Sequence, residues 1–329
     1  MSARILRWGI LGTAHINRAL IPPLRASARN ELVAVASRDP ERGRAYAAEW
    51  GIPRAFGSYE ALLADREIDV IYNSLPNSLH PTWTIKAAQA GKHVLCEKPL
   101  ATTVEEVDAI AAAARQAGVV VAEAFMYRHH PQTLRVKELV DGGAVGRLRL
   151  VRGAFTFNLT RPGDVRLDPA LGGGSIWDVG CYPISFARLV VGAEPREVFG
   201  WQMTGPTGVD EVFAGQMRFP GEVYAQFDCG FRAPYRTFVE IVGSEGSLTV
   251  PHPFKVGLNE QITITRDDAV ETIPIPDQEL YLGEVEDMAD AILLGKPPRV
   301  SLADSRGNVA AILALLQSAR EGKPVKVIA

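Results

Sequence analysis

Cysteine is scarce in this 329-residue chain: Cys96, Cys181 and Cys229 are odd in number and far apart. They form neither a disulfide framework nor a zinc-ligand spacing, so a reducing compartment is the simplest setting. Any apolar run near the roughly 18 residues that a membrane span needs is also absent. No signal-peptide pattern opens the chain, because Met1-Ser2-Ala3-Arg4 leads straight into an expected strand. These absences imply a cytoplasmic protein with no membrane partner. Charge of one sign is missing too: 35 Lys and Arg face 38 Asp and Glu, a formal net charge of −3. A nucleic-acid binder normally carries a strongly basic face, so that class is disfavoured. The His and Cys positions show no ligand spacing and the carboxylates no cluster, so no metal site is expected. What is present is ordinary globular material, 47% hydrophobic and 22% charged, enough for a large core. At roughly 150 residues per domain, the length points to two domains.

The first third alternates strand and helix. Residues 7–12 form a short apolar run ending in Gly12, and a helical stretch follows to about Ala26. Strands are expected at 31–36, 69–72, 93–96 and 119–122, and helices at 40–50, 81–90 and 103–117. The helix starts have chemical signatures. Asp39 is an N-cap with Pro40 at the first helical position, Ser58 caps a further helix, and Thr103 with Glu106 makes a capping box. Continuous apolar strands separated by helices indicate a parallel, doubly wound α/β sheet covered on both faces, the Rossmann arrangement.

Beyond about Glu123 the texture changes. After a helix near 131–140, alternating segments at 147–157, 211–219, 222–231 and 237–242 indicate a large, open, mostly antiparallel sheet in an α+β domain. Helices near 283–294 and 303–320 close the chain. The domains are therefore expected at 1–122 and 123–329.

A bound pyrophosphate needs free backbone N–H groups, the positive end of a helix dipole and small side chains. Gly12-Thr13-Ala14-His15-Ile16-Asn17 stands at the first strand-to-helix turn. Against G-x-G-x-x-G/A only the first glycine is kept, with Ala14 at the second position and Asn17 at the third. Taken alone, the turn fits a dinucleotide site and an ordinary tight turn about equally. The end of the second strand carries Ser37-Arg38 where an NAD site usually has a carboxylate. A hydroxyl and a guanidinium suit a 2′-phosphate, which favours NADP over NAD. Asp39 is a rival ribose ligand, but it stands where a helix cap belongs.

Ligands of a doubly wound sheet lie beyond the carboxyl ends of its strands. Ser74-Leu75-Pro76-Asn77-Ser78-Leu79-His80 follows the strand at 69–72, and Glu97-Lys98-Pro99 the strand at 93–96. A lysine ending a buried apolar strand is rarely there for packing, and the proline after it biases it towards extended backbone. Far along the chain Gly172-Gly173-Gly174-Ser175 leads into a helix carrying Asp178 and Tyr182, whose i, i+4 spacing puts both on one face. Separately, Asp178 reads as a structural hydrogen-bonding residue and Tyr182 as a half-buried packing aromatic. Together with Lys98 they supply a cation, an anion and a phenol, the set that proton exchange with a carbinol oxygen requires.

With Glu123-Ala124-Phe125-Met126-Tyr127-Arg128, these motifs resemble the glucose–fructose oxidoreductase, inositol dehydrogenase and rhizopine-catabolism (Gfo/Idh/MocA) family over essentially the whole length. The resemblance implies a Rossmann domain followed by an α/β domain whose open sheet packs on another subunit, hence a homodimer or homotetramer. It implies that Lys98 holds the reacting hydroxyl near the nicotinamide ribose and that Asp178 positions substrate. Tyr182, where another branch has His, places the chain nearer the dihydrodiol and xylose dehydrogenases and glucose–fructose oxidoreductase. The expected cofactor-side set is Gly12, Thr13, Ala14, His15, Ile16, Ser37, Arg38, Ser74, Leu75, Pro76, Asn77, His80, Glu97, Lys98 and Arg128. Structural alternatives stand beside several of these: a hydrogen-bonded helix-start histidine for His80 and an ion pair for Arg128. His129 and His130 read as structural, and Arg161 and Asp164 as substrate-loop candidates. The export signal and cofactor-burying arm of the periplasmic type have no counterpart here, so the cofactor is expected to exchange. The expected activity is NADP-dependent hydride transfer at a secondary alcohol or hemiacetal of a sugar or polyol. A ketoreductase for an anhydro or nucleotide-linked sugar and a non-catalytic NAD(P)-binding regulator are the alternatives.

Overall fold

The computed structural model describes residues 4–328. The opening segment Met1-Ser2-Ala3, on which the expectation of a direct start rests, lies outside the described residues, as does Ala329. The chain divides into two compact units. One comprises the described residues up to His129 together with Tyr281–Ser305, and the other His130–Leu280 with the described residues from Arg306 onward. A break between 122 and 123 would have cut a strand, and the assignment of 281–305 to the first unit has no local sequence mark.

The first unit follows the expected alternation: β1 (Leu6–Leu11), α1 (Asn17–Ala26), β2 (Asn30–Ala36), α2 (Pro40–Glu49), β3 (Arg54–Phe56), α3 (Tyr59–Ala64), β4 (Val70–Asn73), α4 (His80–Gln89), β5 (His93–Glu97), α5 (Val104–Ala117) and β6 (Val121–Ala124). The strands are hydrogen-bonded in the order β3-β2-β1-β4-β5-β6, every pair parallel. That is the doubly wound order of a dinucleotide-binding sheet. The helix starts form as their residues require. Asp39 Oδ1 accepts from the Glu41 N–H at 2.9 Å, Ser58 Oγ from the Ala61 N–H at 3.1 Å, and Thr103 and Glu106 form a reciprocal capping box. β6 starts two residues later than expected. The Val119 N–H closes α5 by bonding the Ala114 carbonyl at 3.1 Å, so the chain enters the sheet only afterwards. β3 was not anticipated, because a half-exposed three-residue strand carries no readable alternation.

The second unit contains α6 (Pro131–Asp141), β7 (Leu148–Asn158), α7 (Cys181–Val191), β8 (Glu197–Thr204), β9 (Asp210–Arg218), β10 (Tyr224–Gly230), β11 (Arg232–Gly243), β12 (Ser247–Val250), β13 (Gln261–Arg266) and β14 (Ala269–Pro274). Then α8 (Leu282–Leu294) joins the first unit, where Arg29 Nε donates to Glu286 at 2.8 Å and its Nη1 to Asp290 at 2.5 Å. α9 (Leu302–Glu321) and β15 (Val325–Lys326) complete the chain. The second sheet has nine strands in the order β14-β13-β12-β11-β7-β10-β9-β8-β15, antiparallel except for β7 with β10. α7 packs on one face, with Pro183 against Gly153 of β7, and α9 reaches β8, where Ser318 Oγ accepts the Gly200 N–H at 3.2 Å. The opposite face carries Trp201 at 60% exposure, and β9 alternates buried and exposed positions accordingly. β8 and β12 to β15 were not expected. The β13–β14 hairpin shows why: β14 is exposed along almost its whole length, so no buried face imposes a pattern.

Candidate active site

In the first unit, the turn after β1 is built to receive an anion. Gly12 has φ +87°, a conformation that favours glycine, and a Cβ there would press on the Leu75 side chain at 3.0 Å. α1 begins with no acidic residue in its first turn and no side-chain cap. Its N–H groups and dipole therefore favour a negative group at that end. Asn17 does not obstruct the turn. It is fully buried, and its Nδ2 donates to the Gly12 carbonyl at 3.0 Å, bracing the loop from inside. Thr13, Ala14 and Ile16 are half-buried and His15 is exposed.

At the end of β2, Ser37 is buried and its Oγ accepts the Asp39 N–H at 3.2 Å, while Arg38 is exposed. Asp39 spends its carboxylate on capping α2, with the Glu41 and Arg42 amides as its donors. The position beside Ser37 thus offers a cation and no uncommitted acid, an arrangement that fits a dinucleotide bearing a 2′-phosphate.

The loops after β4 and β5 are stapled together by His80. Its Nδ1 lies 2.7 Å from the Pro99 carbonyl oxygen and its Nε2 2.6 Å from that of Leu75. The two carbonyls favour a protonated ring. Burial, aided by the charge of Lys98, outweighs them and pulls the imidazole down to about 4, so near pH 7 it is neutral and its single N–H bonds one of the two carbonyls. This is the geometry of the hydrogen-bonded helix-start alternative. Ser74 Oγ donates to the Leu11 carbonyl at 3.1 Å, tying β4 to β1, and Leu75 is buried while Pro76 and Asn77 are half-buried. Glu97 turns inward: Tyr72 Oη donates to its Oε1 at 2.5 Å, and the Lys98 backbone N–H to its Oε2 at 3.3 Å. Lys98 is half-buried at the strand end, before a cis peptide to Pro99. Arg128 is buried and pairs with Asp304 at 2.8 Å, which is the ion-pair alternative. His129 is buried beside Asp287, and His130 Nδ1 caps α6 by accepting the Gln132 N–H at 3.2 Å.

In the second unit, Asp178 and Tyr182 do not share one regular α-helix. Asp178 belongs to a single π turn, Ile176–Gly180, and Tyr182 to the first turn of α7, so their spacing crosses a change of pitch. Such turns recur at functional sites. Arg166 Nε donates to Asp178 Oδ2 at 2.7 Å, and its Nη1 to Asp164 Oδ1 at 3.1 Å. Asp178, with Asp164 behind it, holds this guanidinium above its ordinary value, so the cation is permanent. Asp164 thus serves the loop through Arg166, and Arg161 is exposed. The Tyr182 ring is 3% exposed and packs against Phe155 and Phe254, with centroids at 5.3 and 5.4 Å. Among the described residues no group of three or more His, Cys, Asp or Glu is arranged for a metal.

A model of the oxidoreductase family with an NAD-binding Rossmann fold matches residues 6–125, and the family's C-terminal domain matches 133–249. The chain belongs to the Gfo/Idh/MocA family. This Gfo/Idh/MocA oxidoreductase is 39% identical over 326 residues to a D-xylose 1-dehydrogenase (NADP(+)) of Haloferax volcanii, covering 98% of this chain and 100% of that one. An aldose–aldose oxidoreductase from Caulobacter crescentus superposes with a TM-score of 0.91 at 28% identity, over 98% and 100% of the two chains. A 3-ketoreductase from Actinomadura kijaniata, solved with NADP and TDP-benzene, gives 0.91 at 31% identity, over 96% and 98%. The similarity to a xylose dehydrogenase agrees with the branch that Tyr182 implied.

Sequence reasoning missed Arg166 and Tyr72. Arg166 lies between Asp164 and Asp168 in a loop with no periodicity to single it out. Tyr72 sits inside an apolar strand, where a phenol looks like packing.

Proposed function

We propose that this oxidoreductase uses NADP to move a hydride between the nicotinamide and a secondary alcohol or hemiacetal carbon of a sugar or polyol, as an aldose 1-dehydrogenase does. The observation that carries this reading is Lys98 at the carboxyl end of β5 in a chain that also has Tyr182 four residues after Asp178 at the start of α7. Ser37 and Arg38, with Asp39 already spent on a helix cap, support NADP, as does the cofactor named for the Haloferax relative. The cofactor, when bound, supplies the hydride acceptor or donor. The protein's residues have the remaining work: Tyr182 exchanges the hydroxyl proton, Lys98 stabilises charge on that oxygen, and Asp178, oriented by Arg166, accepts a hydrogen bond from a substrate hydroxyl.

A ketoreductase acting on a nucleotide-linked sugar is the second reading, favoured by the likeness to the Actinomadura enzyme solved with TDP-benzene. One panel separates the two: aldoses, inositols, anhydro sugars, dihydrodiols and a nucleotide-linked keto sugar, each with NADP(H) and NAD(H), followed by nicotinamide absorbance. Cofactor binding without turnover on any of them would leave only the regulator reading. The open face of the second sheet, with Trp201 exposed, supports a homodimer or homotetramer. Light scattering of Trp201→Glu tests that. The three cysteines are buried thiols, which supports work in the reducing cytoplasm.

A further inference from the structure

The first residue of β9 has no role in the chemistry above, yet it is an expensive one to keep. Asp210 is 5% exposed, and neither of its bonded partners is a cation. Its Oδ2 accepts from Ser175 Oγ at 2.6 Å and from the Ile176 N–H at 2.8 Å. These donors stand at the start of the π turn that carries Asp178. The turn has no side-chain cap of its own, so a carboxylate from a different strand supplies it. The other oxygen explains a glycine. Gly174 has φ +127°, and a Cβ on it would collide with Asp210 Oδ1. At the far end of the same turn, a Cβ on Gly180 would come within 2.8 Å of Cys229 Sγ on β10. The turn is thus seated on the second sheet at both ends, by a charge at its start and by close approach at its finish.

Burial raises the Asp210 carboxyl above its usual range, and its hydroxyl and amide donors oppose that shift. A buried carboxylate costs stability unless its hydrogen bonds are well made. Its position suggests what is gained, since Asp178 lies two residues after Ile176 and Tyr182 in the next turn.

We propose that Asp210 is a positioning residue for the reaction: it seats the π turn on the sheet and thereby places Asp178 and Tyr182. The proposal rests on the functional reading above. Misplacement of reacting groups by about 1 Å costs on the order of a hundredfold in rate. Asp210→Ala should therefore lower kcat/KM about a hundredfold in NADP-dependent D-xylose oxidation, with the NADPH Kd within about twofold of wild type by nicotinamide fluorescence. Asp210→Asn keeps an acceptor for the Ile176 amide and should recover activity to within about tenfold. A second readout needs no substrate. The phenol titration of Tyr182, taken as wild type minus Tyr182→Phe in the ultraviolet, should shift in Asp210→Ala. A purely structural aspartate would lower Tm while leaving that titration and the kinetic constants of the folded enzyme in place, and this result overturns the proposal. If Asp210→Ala does not fold, Ser175→Ala replaces it, with the same two readouts in weaker form, and unchanged values again overturn the proposal. Tyr182→Phe is the control for the reading beneath: full activity there sinks the functional assignment itself, whereas an inactive Tyr182→Phe beside unaltered Asp210 variants sinks only this inference.

Discussion

The two units present their candidate groups in different ways. In the first, Lys98, Ser74 and Ser37 stand where parallel strands end, and the strand order alone puts those ends along one edge of the sheet. In the second, Asp178 and Tyr182 sit where a π turn becomes a helix, and their surroundings come from distant residues: Arg166 from a loop, Asp210 from β9, Phe254 from beyond β12. A strand-end site is placed by topology. A helix-start site is placed by individual long-range bonds, so it should be easier to disturb without unfolding the chain.

The largest effect should come from removing the groups proposed to react. Lys98→Ala and Tyr182→Phe are each expected to lower kcat by about 10²- to 10⁴-fold with little change in NADPH affinity, measured by steady-state kinetics and fluorescence titration. The double variant should lose much less than the product of the two, because groups acting as a unit are not additive. Independent, multiplying losses would show that the two residues serve different steps. Next comes Arg166→Ala, which removes the guanidinium bonded to Asp178. Its guanidinium is about two-fifths exposed, so the fold should survive while the polyol KM rises roughly tenfold or more and Tm moves little. A fall in Tm with an unchanged KM would make that ion pair merely structural. Arg38→Ala should shift the ratio of NADP to NAD efficiency by about tenfold or more towards NAD, the worth of a charge-assisted hydrogen bond. An unchanged ratio would place the 2′-phosphate elsewhere.

The smallest effects bear on the scaffold of the first unit. Burial holds the His129 imidazole down to about 3, below the ordinary 6.5. Between those values the unfolded chain binds a proton that the folded one refuses, so this residue's stabilising contribution is present above pH 6.5 and is lost on acidification. The loss from pH 7 to pH 5 is about 2 kcal/mol. Urea midpoints of wild type and His129→Gln at the two pH values check it: the variant should depend less on pH. Thr103→Ala should cost about 1 kcal/mol by opening the capping box of α5, with no effect on kinetics.

Much of this was legible in advance where the cause is local. Thr103 with Glu106, and Asp39 before Pro40, form the caps their residue types call for, because each bond joins neighbours in the chain. Glu97-Lys98-Pro99 was conspicuous because a lysine at the end of an apolar strand conflicts with packing. Other features were illegible for the converse reason. Asn17 reads as a defect in the phosphate turn until its amide is seen bonded to Gly12. His80 carries two readings in the sequence, and only the structure shows the carbonyl oxygens of two loops at its ring nitrogens. β14 has no buried face and so no pattern to read.

By itself, the chain's order of residues determined the alternation of strands and helices and the caps, and it marked the turn after β1, Lys98 and Tyr182 as candidates. These depend on periodicity and on bonds that span a few residues. Tertiary structure alone decided that 281–305 joins the first unit, that Arg166 meets Asp178, and that Asp210 caps a turn thirty-odd residues before it. Those outcomes are settled by which buried polar group finds which partner after collapse, a choice that no local pattern encodes.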